Sequence, residues 1–137
     1  MDVRMDGKTA LITGASKGLG FAMSRTFAEA GAKVALIARG QEGLDAALAE
    51  IGSVDGEARG YACDVTSASE IEATYRAVEK DLGPIDVLIN NAGSSARGPF
   101  PGIAVPLWQA GLDRMCFDSV RRHTPAFFAR SWVKSAA

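Results

Sequence analysis

The chain has 137 residues, of which 47% are hydrophobic and 23% are charged. This balance is typical of one soluble globular domain rather than of a disordered chain. Lys and Arg together number 15 and Asp and Glu 16. The missing basic excess argues against a nucleic-acid or membrane-surface binder, because phosphate contacts require one.

Cysteine and histidine are scarce. Cys63, Cys116 and the single histidine, His123, do not stand at metal-ligand spacing, so the sequence predicts neither a metal site nor a disulfide framework. No apolar run reaches the length of a membrane span, and the first residues lack the apolar stretch of a signal peptide. We therefore expect a cytoplasmic protein.

The first strand and helix are marked by apolar patterning. The continuous apolar run 9–12 ends at Gly14, which is typical of a strand buried on both faces. From Gly18 to Ala30, apolar residues recur at intervals of three and four, which predicts a helix that Gly31 ends. Its expected buried stripe consists of Leu19, Ala22, Met23, Thr26, Phe27 and Ala30.

Further strands and helices alternate along the chain. We predict strands over 33–38, 58–63 and 85–89, and a helix over 42–51. The third helix begins at Ser67, three residues before Glu70, a capping-box pair. Its expected buried stripe consists of Ile71, Tyr75, Val78 and Leu82.

This alternation predicts an α/β fold. Strands joined by helices through short loops form a Rossmann-like parallel sheet with right-handed crossovers, flanked by helices, and the expected strand order is 3-2-1-4. Residues 92–106 are rich in Gly and Pro and are predicted to be a loop. A helix kinked at Pro125 is predicted over 107–134. We expect residues 1–137 to form one domain.

A glycine-rich turn lies between the first strand and the first helix. Gly14 permits a sharp exit from the strand, Gly18 permits a pyrophosphate to approach the backbone, and Gly20 permits close packing of the helix on the strand. The N–H groups at the start of the helix can then bind phosphates. In this position the turn favours a dinucleotide over an ordinary turn.

The end of the second strand carries Arg39 where an NAD site typically has Asp or Glu. A guanidinium can bind a 2′-phosphate with two hydrogen bonds, and Lys17 in the glycine turn adds a second cation. The pair favours NADP(H) over NAD(H). The alternative is that both are ordinary solvated surface cations.

Two further motifs follow strand ends. Asp64 and Val65 come after the third strand, and the run 90–93 (Asn-Asn-Ala-Gly) comes after the fourth. Since ligands bind beyond the carboxyl ends of parallel strands, we expect these motifs to converge with the glycine turn.

Taken together, the three motifs resemble the N-terminal half of a short-chain dehydrogenase/reductase. Residues 7–100 match well, and 101–137 match less well. The resemblance implies an NAD(P)-dependent oxidoreductase fold, shortened relative to the full family fold. It implies that Asp64 and Val65 flank adenine, that Asn90, Ala92 and Gly93 line the ribose side, and that Ser16, Lys17, Gly18 and Leu19 surround the phosphates.

The family's catalytic residues are a Ser and a Tyr-x-x-x-Lys pair, in which Tyr acts as acid and base and Lys lowers its pKa. Four residues after Tyr61 stands Val65, and four after Tyr75 stands Glu79, so neither tyrosine fits. The family's helix Asn is also missing from 113–120. We therefore predict no catalytic residue in this chain.

Three hypotheses stay open. The chain is a shortened oxidoreductase that keeps the cofactor half, a non-catalytic module that senses nucleotides or binds a partner, or a vestigial product without a stable fold. If it folds, the apolar fourth strand forms a sheet edge that we expect to promote self-association.

Overall fold

The computed structural model describes residues 3–93. The predicted helix over 107–134 and nearly all of the loop before it lie outside these residues. The described elements, in chain order, are β1 (Thr9–Thr13), α1 (Gly18–Glu29), β2 (Lys33–Ala38), α2 (Gln41–Ile51), β3 (Glu57–Ala62), α3 (Ala68–Leu82) and β4 (Val87–Ile89).

The four described strands form one parallel sheet with the order β3-β2-β1-β4. This order confirms the predicted fold class. In the register, Leu11 of β1 lies between Ala35 of β2 and Leu88 of β4. All five residues of β1 are buried, as expected for a central strand covered by helices on both faces.

Each face of the sheet has its own apolar core, because successive strand residues point to opposite faces. On one face, Ile12, Val34 and Leu36 pack with Leu44 and Ile51 of α2 and with residues of α1. The second core lies against α3 and contains Leu11, Ala35, Ile37, Cys63, Val78 and Leu82.

The predicted stripe of α1 is partly confirmed. Met23 and Phe27 pack against the core from half-buried positions, but Leu19 is 69% exposed, and Ala22 and Thr26 are exposed as well. The fully buried residues of α1 are small: Gly20, Ser24 and Ala28. The Ser24 hydroxyl is satisfied there by a bond to the Gly20 carbonyl (2.8 Å).

The predicted stripe of α3 is partly confirmed. Val78 and Leu82 are buried, and Ile71 packs against them from a half-buried position. Tyr75 is instead 37% exposed, and its hydroxyl donates to Glu79 Oε1 at 2.8 Å. The prediction for Tyr75 was wrong because the outer flank of the helix allows the phenol oxygen to remain at the surface.

β3 and α3 are also joined by a polar contact. The Tyr61 hydroxyl donates to Asp81 Oδ2 at 2.9 Å. Partial burial, together with this bond to a carboxylate, raises the pKa of Tyr61 to about 12. Tyr61 is therefore neutral throughout the physiological pH range and holds the edge strand to α3.

Candidate functional site

A cavity of about 610 Å³ opens where β1, β2 and β3 end. Its size is within the usual range for small-molecule and cofactor sites, and its position is the one where open parallel sheets bind ligands. Its lining residues are Gly14, Ser16, Lys17, Ile37, Ala38, Arg39, Cys63, Asp64, Val65, Thr66, Asn91, Ala92 and Gly93.

The glycine turn has the geometry of a phosphate cradle. Gly14 (φ 65°) and Gly18 (φ 59°) adopt left-handed conformations that side chains disfavour. A Cβ on Gly14 would lie 2.9 Å from Ala92 Cα, whereas a Cβ on Gly18 would project into open space. The first turn of α1 has no side-chain cap, so its N–H groups suit an anion. The residues present therefore fit a dinucleotide pyrophosphate.

Thr13 and Asn91 bind the glycine turn to the end of β4. The Thr13 hydroxyl oxygen accepts from the backbone N–H groups of Asn91 (3.0 Å) and Ala92 (2.9 Å). In return, Asn91 Nδ2 lies 3.2 Å from both the Thr13 and Gly14 carbonyl oxygens, to which it donates. These bonds fix the wall formed by Ala92 and Gly93 against the turn.

Two cations line the cavity. Lys17 and Arg39 both line it and both are exposed. Neither forms an ion pair within residues 3–93, although seven other ion-pair contacts join charged side chains there. Their charge is thus available to an anionic ligand group.

Ser16 also lines the cavity and packs against the first turn of α2. A Cβ added to Gly43 would lie 3.3 Å from Ser16 Cβ. The glycine turn is therefore supported from outside by α2, the helix that follows Arg39 directly.

A loop that follows β3 forms another part of the cavity. Asp64, Val65 and Thr66 line the cavity there, beside the buried Cys63. Asp64 Oδ1 accepts from the Thr66 backbone N–H (2.9 Å) and from the Thr66 hydroxyl (2.8 Å). These bonds hold a carboxylate and an apolar side chain just beyond the end of β3, next to the strand end that carries Arg39.

The structure brings most of the predicted site residues together. Those that line the cavity are Gly14, Ser16, Lys17, Arg39, Asp64, Val65, Ala92 and Gly93. Gly18 and Leu19 lie at the exposed start of α1, Gly20 is buried beneath the turn, and Asn90 is exposed after β4. These four do not line the cavity.

Four lining residues lie outside the predicted motifs: Ile37, Ala38, Cys63 and Thr66. A fifth, Asn91, stands within the run 90–93 but was not predicted as a site residue. Each of the five lies within two positions of a predicted site residue, so the strand ends themselves were the available signal. Among the described residues, no group of three or more His, Cys, Asp or Glu could hold a metal ion. No helix in that part of the chain is long and apolar enough to cross a membrane.

A parallel sheet with a glycine-rich strand-to-helix turn at its carboxyl edge is the architecture of Rossmann-like dinucleotide-binding domains. A sequence profile described as short chain dehydrogenase matches residues 8–127. The chain belongs to the short-chain dehydrogenase family.

Relatives and solved structures agree with this assignment. D-threitol dehydrogenase of Mycolicibacterium smegmatis is 39% identical over 111 residues, which cover 81% of this chain and 43% of that protein. The structure of L-sorbose reductase from Gluconobacter frateurii, complexed with NADPH and L-sorbose, superposes with a TM-score of 0.80 at 30% identity. That match covers 95% of this chain and 51% of the reductase.

A metagenomic short-chain oxidoreductase in complex with NADP superposes with a TM-score of 0.77 at 35% identity, and the match covers 92% of this chain and 59% of the oxidoreductase. The chain therefore spans about half the length of the relatives it matches.

Proposed function

We propose that residues 1–137 supply the NADP(H)-binding half of an oxidoreductase that transfers a hydride between NADP(H) and a carbonyl or alcohol. We further propose that this chain by itself binds the cofactor without turnover. The observation that carries the proposal is the cavity at the strand ends, which combines an uncapped helix N-terminus, an open glycine turn and two cations.

The preference for NADP(H) rests on Arg39 and Lys17. A 2′-phosphate adds negative charge at the end of the ligand that faces them, and a guanidinium binds phosphate with two hydrogen bonds. A charge-assisted contact of this kind contributes about 1.5–3 kcal/mol, or roughly ten- to a hundredfold in affinity. Related structures contain NADP and NADPH, which supports the same choice of cofactor.

The proposed absence of turnover rests on the amino-acid sequence. Neither Tyr61 nor Tyr75 is followed by Lys four residues later, so the chain offers no acid–base pair of the family type. In this proposal the chain binds and orients the cofactor and leaves proton transfer to other residues.

The test is a calorimetric titration of the chain with NADPH and with NADH, repeated on Arg39→Asp. We expect NADPH to bind more tightly than NADH, and Arg39→Asp to lose about ten- to a hundredfold in NADPH affinity while changing NADH affinity little. Arg25→Asp is the matched control, because Arg25 is an exposed arginine that pairs with Glu29 on α1, outside the cavity lining. Equal affinities for the two cofactors would overturn the preference.

A turnover assay separates the cofactor half of an enzyme from a module that only senses the nucleotide. Both bind NADP(H) in the same cavity. Carbonyl reduction by the purified chain would overturn the proposed lack of turnover. Carbonyl reduction that appears only on adding the C-terminal half of a related enzyme would favour the enzyme half over the sensor.

We also propose that the chain is cytoplasmic, a location supported by two scattered cysteines that form no disulfide framework, and that it self-associates. Within residues 3–93, β4 pairs with β1 alone, and Val87, Leu88 and Ile89 are only half-buried. An unpaired apolar edge templates pairing with a second chain. Sedimentation of a monodisperse monomer would overturn the self-association.

A further inference from the structure

One side chain outside the cavity lining bonds to the cavity wall. Glu70 lies in the first turn of α3, and its Oε2 accepts from the backbone N–H of Asp64 at 2.8 Å. The residue before, Cys63, makes the last backbone bond between β3 and β2, to the Ala38 carbonyl (2.8 Å). The Glu70 carboxylate therefore holds the backbone N–H of Asp64, the residue that directly follows the last bond between β3 and β2.

The loop that Glu70 contacts leads from β3 into the cap of α3. Asp64 Oδ1 accepts from the Thr66 N–H, and the Asp64 carbonyl accepts from the Ser67 N–H at 3.0 Å. The bond from Glu70 adds a side-chain contact between the first residue of this loop and the first turn of α3.

The capping pattern explains why the Glu70 side chain is available. In a capping box, the carboxylate returns to the N–H of the cap residue. Here Ser67 Oγ accepts from the Glu70 N–H (3.4 Å), but the Ser67 N–H is already bonded to the Asp64 carbonyl. The carboxylate therefore extends to Asp64, where an ionised acceptor makes a stronger bond than a neutral one.

We infer that Glu70 is a positioning residue for the adenine end of the cofactor site. Its carboxylate fixes the backbone of Asp64 and, through it, the wall formed by Asp64, Val65 and Thr66. This inference rests on the proposed dinucleotide function, since the ligand that meets this wall is the adenosine part of NADP(H).

The test compares Glu70→Ala, Glu70→Gln and a matched control, Glu72→Ala. Glu72 is also an exposed glutamate on α3, and it bonds Arg76 one turn further along, away from the cavity. The probes are adenosine 2′,5′-bisphosphate, which spans the adenine end, and inorganic pyrophosphate, which occupies only the glycine turn. Calorimetry well below the unfolding temperature gives the affinities, and amide exchange reports on Asp64.

We expect Glu70→Ala to weaken adenosine 2′,5′-bisphosphate about fivefold, because an exposed charge-assisted bond is lost. Pyrophosphate affinity should be unchanged, and the Asp64 amide should exchange faster. Glu70→Gln retains a neutral acceptor oxygen and should lose less bisphosphate affinity than Glu70→Ala, with pyrophosphate affinity unchanged. Glu72→Ala should match the wild type throughout.

Two outcomes overturn the inference alone: bisphosphate affinity in Glu70→Ala equal to the wild type, or an equal loss for both probes, which indicates general damage to the fold. Failure of the wild type to bind NADPH or the bisphosphate overturns the proposed function and, with it, the role of Glu70. The two failures are therefore distinguishable in one set of titrations.

Discussion

The two ends of the sheet are held together in different ways. At the amino end, charged side chains bond one another: Arg4 pairs with Asp6 and Asp55, and Lys8 lies 3.5 Å from Asp86. The bond from Arg4 lowers the pKa of Asp6 below its ordinary value. At the carboxyl end, glycines, a threonine and an asparagine hold the turn, and its cations have no acidic partner within residues 3–93.

This difference means that the charges at the amino end contribute mainly to stability, whereas those at the carboxyl end contribute mainly to ligand binding. Charges that neutralise one another stabilise a fold modestly and offer little to a ligand. Charges without partners beside an open turn stabilise the fold less but bind anions. Substitutions at the amino end should therefore change stability alone, whereas substitutions at the carboxyl end should change stability and cofactor affinity together.

The largest effect is expected at Gly20, beneath the glycine turn. A Cβ there would overlap the Gly14 carbonyl oxygen and lie 2.5 Å from Asn91 Nδ2. Gly20→Val should destabilise the fold by about 3 kcal/mol or more, since backbone must move to make room. It should also abolish measurable NADPH binding. Urea unfolding and calorimetry measure the two effects.

Gly40→Ala is the control for that substitution. A Cβ on Gly40 would meet nothing within 4 Å, and φ is −103°. Its cost should be no more than about 1 kcal/mol, that of Ala at a helix N-cap. A Gly20→Val protein as stable as the control would contradict the close packing of α1 on the sheet.

A smaller effect is expected at Thr13. Thr13→Val keeps the shape of the side chain but leaves the N–H groups of Asn91 and Ala92 without their acceptor. We expect a loss of about 2 kcal/mol in the free energy of unfolding and weaker NADPH binding. Thr26→Val, which removes an exposed hydroxyl bonded within α1, should cost less than about 0.5 kcal/mol. Unchanged NADPH affinity in Thr13→Val would contradict the proposal that the bonds of Thr13 to Asn91 and Ala92 shape the cofactor site.

The smallest effect is expected at the amino end. Asp86 Oδ2 accepts from the Thr9 N–H at 3.0 Å, and the carboxylate faces Lys8 at the surface. Asp86→Ala should lower the free energy of unfolding by about 1 kcal/mol and leave NADPH affinity unchanged. A marked loss of affinity in this variant would show that the two ends of the sheet are not independent.

The sequence predicted the strand order because continuous apolar runs, helical periodicity and glycine stops agree along residues 9–89. It was only partly right on α1, where Met23 and Phe27 pack against the core but Leu19 is exposed. The repeat of small residues at Gly20, Ser24 and Ala28 was the signal for the fully buried face, since small side chains every four residues allow a helix to approach a sheet closely.

The candidate site was predictable only where a motif marks it locally. The glycine turn, Arg39 and the residues after β3 have such marks. No local motif marks the hydrogen bonds of Asn91 and Glu70, because each side chain bonds to a backbone group that the fold brings near. For Asn91 the partner lies 78 positions away in the chain, and no short-range pattern encodes such a contact.

That long separation also sets the order in which the site can form. Closing a loop of this size costs chain entropy before any bond is made, and contacts between distant residues form late in folding. During synthesis, the glycine turn emerges from the ribosome long before Asn91 does. The phosphate cradle is therefore completed only when the end of β4 arrives, and a nascent chain that ends before it carries the motif without the site.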